Sequence, residues 1–465
     1  MSTTSSYSSS MPSPHQKTLF KSLQPALVVF SASLFFFFEF LQMNMFNALD
    51  PSLYKTFHLT NSTQLGQLSA CFMYSMVLFL FPAGILLDRF STKKVILTAM
   101  FSCITFVFLF SFTKTLGQGE ICRLMTGIGD AFCLLACVRL ASRWFSPKHM
   151  ALVIGLVVTL AMIGGMVAQT PLTELTKMVG WRLALRFDAI GGIIMWFLIL
   201  MLVKDFPPGM KAFFNSQHAS LEKLGLLPAL KQVLSNAQNW LGGFYVSLVN
   251  LPLMLLGSTW GGWYLTQTHH LSVIDASYVT SILFVGMIIG SPILGWISDK
   301  LERRKIPMII GAIASLAVIL AIMYLPHLSF EDLMILFFAL GFVVSSQIIG
   351  YPLVAESNPA MLTGAAEGVA SVLIMSGGFL IPVFPMLLNL HWNHLMKNGI
   401  PQYATQNYHL AFLIMPVAFL LALIAAFVVR ETKCLSFEER TEKKVVTKQA
   451  DQTEEMRELL EIEMV

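Results

Sequence analysis

Two carboxylates stand where a carboxylate is expensive. Glu39 lies within FFFFEFLQMN with Gln42 close to one turn on, and Asp130 closes RLMTGIGD, preceded by Thr126 at four residues and Arg123 at seven. At about 100° per residue, Arg123, Thr126 and Asp130 share one helical face, whereas Arg139, nine residues beyond Asp130, points the other way. Removal from water favours the neutral form of a carboxyl group and a nearby cation favours its charged form. A carboxyl group that a solute or a moving helix approaches can therefore take up and release a proton. Both runs are apolar enough for hydrocarbon, where an ionisable group costs about 2.5–3.5 kcal/mol and is a functional candidate by default. Glu39 is the expected proton-coupling residue. Asp130 is expected to be neutralised by Arg123, with Arg123 and Thr126 on a cavity wall.

The elements that must hold these groups follow from composition. Of 465 residues, 55% are apolar and 12% charged, with 37 Phe, 27 Met and a net charge of +4. A soluble globular chain carries about a quarter charged residues, so an ordinary soluble enzyme and a disordered chain are both excluded, and so small a net charge does not suggest a nucleic-acid partner. Six cysteines, at positions 71, 103, 122, 133, 137 and 434, show no metal-type spacing; five fall in apolar runs and read as small buried hydrophobes. No metal site is expected.

A spanning helix needs about 20 mostly apolar residues, and twelve such runs occur, near 25–49, 64–86, 95–114, 119–141, 150–170, 183–203, 240–265, 276–297, 307–325, 331–354, 362–389 and 408–429. Backbone groups in lipid must be satisfied within the segment, so runs of this length are helices. The fold class is an all-α membrane protein of twelve transmembrane helices. The apolar stretch after Lys21 is too long for a signal-peptide core and is expected to remain as the first helix. Placing the N-terminus in the cytoplasm puts sixteen Lys and Arg on the inner loops and seven on the outer, so both termini are expected to be cytoplasmic. In a bacterium the chain would sit in the inner membrane.

The longest polar stretch between spans, 204–239, divides six spans from six. The expected organisation is a cytoplasmic tail 1–24, a six-helix bundle 25–203, the linker 204–239 with an amphipathic segment at 221–234, a second bundle 240–430 and a cytoplasmic tail 431–465. GILLDRFSTKK at 84–94 recurs as GWISDKLERRK at 295–305, an offset of 211 residues. Duplicated halves are a recurrent way to build transporters, with the solute site near the midplane between them.

This repeated loop resembles the signature of the major facilitator superfamily, as do RLMTGIG at 123–129 in the fourth span and Gly180-Trp181-Arg182 opening the sixth. Ser91-Thr92 replaces the usual Gly-Arg, and Gly164-Gly165 lacks the neighbouring Pro of the antiporter motif. The run Arg143-Trp144-Phe145-Ser146-Pro147 with Gly155 and Gly164-Gly165 resembles bacterial organic-solute permeases and, more distantly, phagosomal amino-acid transporters and the lysosomal dipeptide transporter branch. The resemblance implies two pseudo-symmetric six-helix bundles and alternating access. It also implies a gating role for Gly84, Asp88, Arg89 and Lys93, with Asp88 facing the eleventh span's helix dipole and Gly84 allowing close approach. Gly295, Asp299, Lys300 and Arg304 would repeat the arrangement in the second half.

Hydrogen-bonding and aromatic groups in the spans supply the substrate-cavity candidates: Gln42, Gln169, Asn250, Trp260, Trp263, Tyr264, Ser346, Gln347, Tyr351 and Ser376. With no midplane Lys and Arg123 as the cation placed for the cavity, a solute bearing both an anionic and a cationic group is favoured over a multiply charged anion. The expected function is secondary active transport of a small polar organic solute (an amino acid, short peptide or organic acid) by proton symport. The chain would act as a monomer, with no cofactor beyond the ion gradient. The alternatives are an exporter of a metabolite, siderophore or drug, and a non-transporting membrane sensor. A membrane enzyme would need a catalytic cluster that the sequence does not display.

Overall fold

Long apolar runs become helices in this chain, and prolines and glycines decide where those helices break. The computed structural model describes residues 23–145, 150–209, 226–359, 362–397, 400–437 and 439–442. Twelve helical segments are long and apolar enough to cross a membrane: Gln24–Asn44, Ser62–Leu80, Thr92–Phe110, Leu116–Trp144, Val153–Val179, Trp181–Leu202, Ala237–Thr268, Val273–Lys300, Lys305–Tyr324, Phe330–Glu356, Gly368–Asn389 and Thr405–Val428. The 84–94 and 295–305 turns both follow even-numbered spans and lie at one end, called here the basic end.

Boundaries depart from the expected ones for local reasons. The first apolar run does not continue unbroken to 49. Its helix stops at Asn44, turns at Met45 and resumes as Phe46–Phe57. The third span closes at Phe110, where the Ser111 and Thr113 hydroxyls donate back to the carbonyls of Phe108 and Phe110. Of the linker, the helix Leu226–Ser235 falls in the described part. It seats Val233 against Val354, Leu362, Ala366 and Ala370 of the second half. Residues 1–22, 210–225 and 443–465, which hold most of both tails and the start of the amphipathic segment, lie outside the described residues.

Several spans are interrupted at depth. The fourth breaks between Asp130 and Cys133, and the fifth at Gln169, just before Pro171. The seventh becomes a π-helix over Leu253–Trp260 after Pro252, and the tenth narrows to a 3-10 turn over Ser345–Ile349 ahead of Pro352. Proline removes one backbone donor and crowds the preceding turn, and in lipid the freed carbonyls must find protein partners. Glycines bring the spans together at these places. A Cβ at Gly127 would strike the Phe72 carbonyl of the second span, one at Gly129 would strike Cys103 of the third, and one at Gly164 would strike the Phe37 carbonyl of the first. RLMTGIG therefore packs the fourth span against its neighbours and fixes where Asp130 can sit.

Candidate functional site

The first half encloses a set of ionisable groups in its apolar interior. Glu39 is fully buried and neither of its oxygens has a hydrogen-bond partner. Asp130, from the broken fourth span, and the Cys133 thiol lie alongside it. Asp130 Oδ1 accepts from the Cys103 thiol at 3.0 Å, while Oδ2 has no partner. Arg123 is 2% exposed, and none of its three guanidinium nitrogens is hydrogen-bonded. Its charge rests instead over the rings of Phe46 at 4.9 Å and Phe72 at 4.5 Å. Cation–π contact of this kind stabilises a desolvated guanidinium by about 2 kcal/mol and leaves every N–H free to meet an anion.

Arg123 and Asp130 are not joined by a direct hydrogen bond. The two residues share a helical side, but seven residues of helix separate them by about 10 Å along the axis, and Arg123 turns to the aromatic rings. The Thr126 hydroxyl, between them, donates to the Cys122 carbonyl of its own helix at 2.9 Å. Two further carboxylates belong to this region beside Glu39 and Asp130. Asp188 of the sixth span accepts from Gln42 Nε2 at 2.6 Å, and Asp50 lies fully buried on the Phe46–Phe57 helix with both oxygens unpartnered. Each sits near the margin of an apolar run, where a sequence reading puts a solvated residue.

The two halves meet through a polar seal at the end opposite the basic turns. Asn47 Nδ2 donates to the carbonyls of Leu256 and Gly257, both at 2.8 Å, and its Oδ1 accepts from Gly262 N–H at 3.1 Å. Gln169 Nε2 donates to the Asn44 carbonyl and to the Gly257 carbonyl at 2.7 Å. The π-helix of the seventh span shifts its backbone register, and side chains of the first half take up the displaced carbonyls. Ser69 with Thr259, Thr170 with Ser281, and Ser62 and Thr63 with Asn389 and Tyr403 extend the seam. A cavity of about 210 Å³ beside it is lined by Asn47, Trp263, Gln267, Ser277, Thr280 and Gln402. Among the described residues, every hydrogen bond joining the two halves lies in this seam. Asn47→Ala would remove three hydrogen bonds across the seam, at about 0.5–1.5 kcal/mol each, while the Gly257 carbonyl keeps Gln169 and the Leu256 carbonyl keeps Gly261 N–H. A cysteine replacing Thr259 is therefore expected to react with a hydrophilic thiol reagent at least tenfold faster in that background.

At the basic end each half is bonded to itself. Asp205 accepts from the Ser91 hydroxyl at 2.5 Å and from Lys93 N–H at 2.8 Å, and Lys93 Nζ donates to the Leu200 carbonyl at the end of the sixth span. Lys93 thus holds a helix C-terminus of its own half. Arg304 binds Asp299 at 2.6 Å and Glu356 at 2.7 Å. Burial works to lower the Arg304 pKa, and the two carboxylates outweigh it, so the guanidinium stays protonated above its ordinary value. Among the described residues the second-half signature forms an ion-pair cluster within its own half. Lys300 lies over the Trp296 ring at 4.8 Å. The close approach expected at Gly84 and Gly295 is not seen, since no described atom comes within 4 Å of a Cβ at either. The side chains of Asp88 and Arg89 lie outside the described residues.

The substrate-cavity candidates divide into two groups. Gln42, Asn250 and Trp260 are buried and each retains an unpartnered polar atom. Trp260 stacks on Phe384 at 5.7 Å, and Trp263 meets Tyr54 of the first half at 4.9 Å. Gln347 is buried at the 3-10 turn of the tenth span, and Tyr351 is half-buried on the helix Gly350–Glu356 that follows it. The rest serve structure. Gln169 seals the seam, the Tyr264 hydroxyl donates to the Ile322 carbonyl, Ser346 pairs with Tyr245, and Ser376 donates to Leu373 of its own helix. Tyr264 and Ser346 thus pack the second half internally, because their spans turn those faces toward neighbouring helices. His269 is half-buried and bonded to the Tyr264 hydroxyl at 3.0 Å. Among the described residues no three His, Cys, Asp or Glu side chains are grouped to hold a metal ion.

Twelve spans in two halves, closed at one end around buried charge, define a membrane carrier. The profile of the Major Facilitator Superfamily matches residues 32–272 and 246–462, and the chain belongs to that family. It is 24% identical over 365 residues to the membrane sensor protein UhpC of Escherichia coli K12, covering 75% of this chain and 82% of that one. It is 26% identical over 346 residues to the D-galactonate transporter of Escherichia coli O6:H1, covering 69% and 79%. Among solved structures, it is similar to the D-xylose-proton symporter, with a TM-score of 0.70 at 16% identity, over 89% of this chain and all of that one. A bacterial homologue of the human lysosomal transporter Spinster, inward-facing and unoccupied, gives a TM-score of 0.68 at 16% identity over 87% and 98%. The chain is a transporter-family membrane protein and not an enzyme.

Proposed function

We propose that the chain carries a small organic acid with a single carboxylate into the cytoplasm together with a proton, with its basic end and both termini on the cytoplasmic side. The observation that carries this reading is Arg123, a buried guanidinium clamped between two rings with every nitrogen unpartnered. A planar fork of this kind suits bidentate recognition of a carboxylate. Among the described residues no second cation lies beside it, which argues for one negative charge, and the polar atoms of Gln42, Asn250 and Trp260 suit hydroxyl groups on the solute. The D-galactonate transporter and the hexuronate transporter of Bacillus subtilis, 26% identical over 257 residues, support sugar acids within this class over amino acids and peptides. Glu39, buried without a partner, is the proton carrier of the proposal.

A second reading, a sensor that binds such a solute without moving it, is favoured by the similarity to UhpC. Both readings are tested by melting the purified chain with D-galactonate, a hexuronate, a dicarboxylic sugar acid, an amino acid and a dipeptide. A monocarboxylate at 100 times its dissociation constant is expected to stabilise the fold by about 2.7 kcal/mol. Uptake of the same compound into proteoliposomes then separates carrier from sensor. Stabilisation by the amino acid or dipeptide alone contradicts the proposal.

A further inference from the structure

Asp50 has a place in this architecture that Glu39 does not fill. It lies on the Phe46–Phe57 helix, which packs against the helix Thr170–Val179, the π-helix Leu253–Trp260, the segment Gly261–Thr268 and the strand at Ile400–Pro401. Asn47, three residues before it, bonds the backbone of the second half, and Tyr54, four residues after it, packs its ring against Trp263 of the second half. Residues at these spacings share a helical face, so Asp50 belongs to the surface on which the two halves close. Its side chain is fully buried there, and neither oxygen accepts a hydrogen bond.

The titratable and charged groups around it offer no compensation. Tyr54, Lys55 and the capping His58 are on its own helix, Glu174 and Lys177 on the helix Thr170–Val179, Tyr264 and His269 at the seventh span, and Tyr403 and Tyr408 beyond the strand. Arg123 of the fourth span is stacked on Phe46. None of these is hydrogen-bonded to or ion-paired with Asp50. A carboxylate charge enclosed without a partner costs several kcal/mol, so the sealed arrangement holds the neutral acid. When the halves part at this end, Asp50 meets water, where an aspartate ionises near pH 4.

We infer that Asp50 is a second proton-binding site, loaded from the end opposite the basic turns as that end closes. The inference rests on the carrier reading only in taking that end to open and close; it needs neither the solute nor Glu39. Above the water-exposed pKa, closure takes up one proton, so the closed form is favoured as pH falls. The closed-to-open ratio changes by up to about tenfold per pH unit until the closed-state pKa is passed.

The test uses the full chain with Cys434→Ser and nitroxide labels on Met178→Cys and His327→Cys. These exposed positions lie at the opposite end, one in each half. Distance distributions are recorded in detergent between about pH 5 and 8, a window above the ordinary aspartate value. In the parent chain the short-distance population is expected to grow as pH falls. In Asp50→Asn it should dominate at every pH, and Asp50→Glu should restore the dependence. An Asp50→Asn profile that matches the parent overturns the inference, as does a parent profile that ignores pH while showing both populations. A single distance under all conditions in every variant overturns the carrier reading as well.

Discussion

Arg123→Gln is expected to lower uptake of the carboxylate solute by at least about a hundredfold in a protein that still folds. Each hydrogen bond from a charged donor contributes about 1.5–3 kcal/mol, and a bidentate contact supplies two. Since each 1.4 kcal/mol is a factor of ten, even the lower bound gives two orders of magnitude. Folding should survive because Arg123 has no hydrogen-bond partner in the protein to strand. What the fold loses is the contact with Phe46 and Phe72. Arg123→Lys is expected to recover little, since an ammonium has neither the plane that stacks nor the fork that pairs. Initial uptake rates in proteoliposomes, beside the melting temperature of each variant, check this. Uptake within a fewfold of the parent would remove Arg123 from the solute site.

Glu39→Gln is expected to abolish accumulation while leaving downhill exchange. With one proton per solute, a gradient of one pH unit sustains about a tenfold solute ratio, because one pKa unit is worth 1.36 kcal/mol. The amide keeps the shape of the acid and carries no proton to release, so the ratio should fall to one. Neutralising an unpartnered buried carboxyl strands no donor, so the melting temperature should hold or rise. Accumulation against a gradient in Glu39→Gln would assign coupling to another group, with Asp50, buried and unpartnered, first and Asp130 and Asp188 after it.

The sequence made some of this legible and hid the rest for identifiable reasons. Twelve apolar runs were readable because lipid tolerates one solution for a long run, and the family profile agrees with the repeated loop. The buried charges at Glu39, Arg123 and Asp130 were readable because charge is rare in such runs. What could not be read was axial distance against rotation. Arg123 and Asp130 share a side, yet two turns part them. The seal was hidden more deeply. Asn47, Gln169 and the Leu256 and Gly257 carbonyls lie 88 to 210 residues apart and meet because Pro252 precedes a π-helix whose register no local pattern announces. Asp50 and Asp188 give no such signal, because both stand near the ends of spans, where a hydropathy window blurs the boundary.

The most direct measurement is proton movement during solute entry. Proteoliposomes holding an internal pH indicator, with no imposed pH gradient and potassium with valinomycin to clamp the voltage, receive the stabilising monocarboxylate outside. The parent chain should acidify the lumen in step with solute influx, and Glu39→Gln should admit solute with no change of internal pH. Solute influx through the parent chain with no acidification, or equal acidification through Glu39→Gln, would contradict the proposal that this carrier couples its solute to a proton at Glu39.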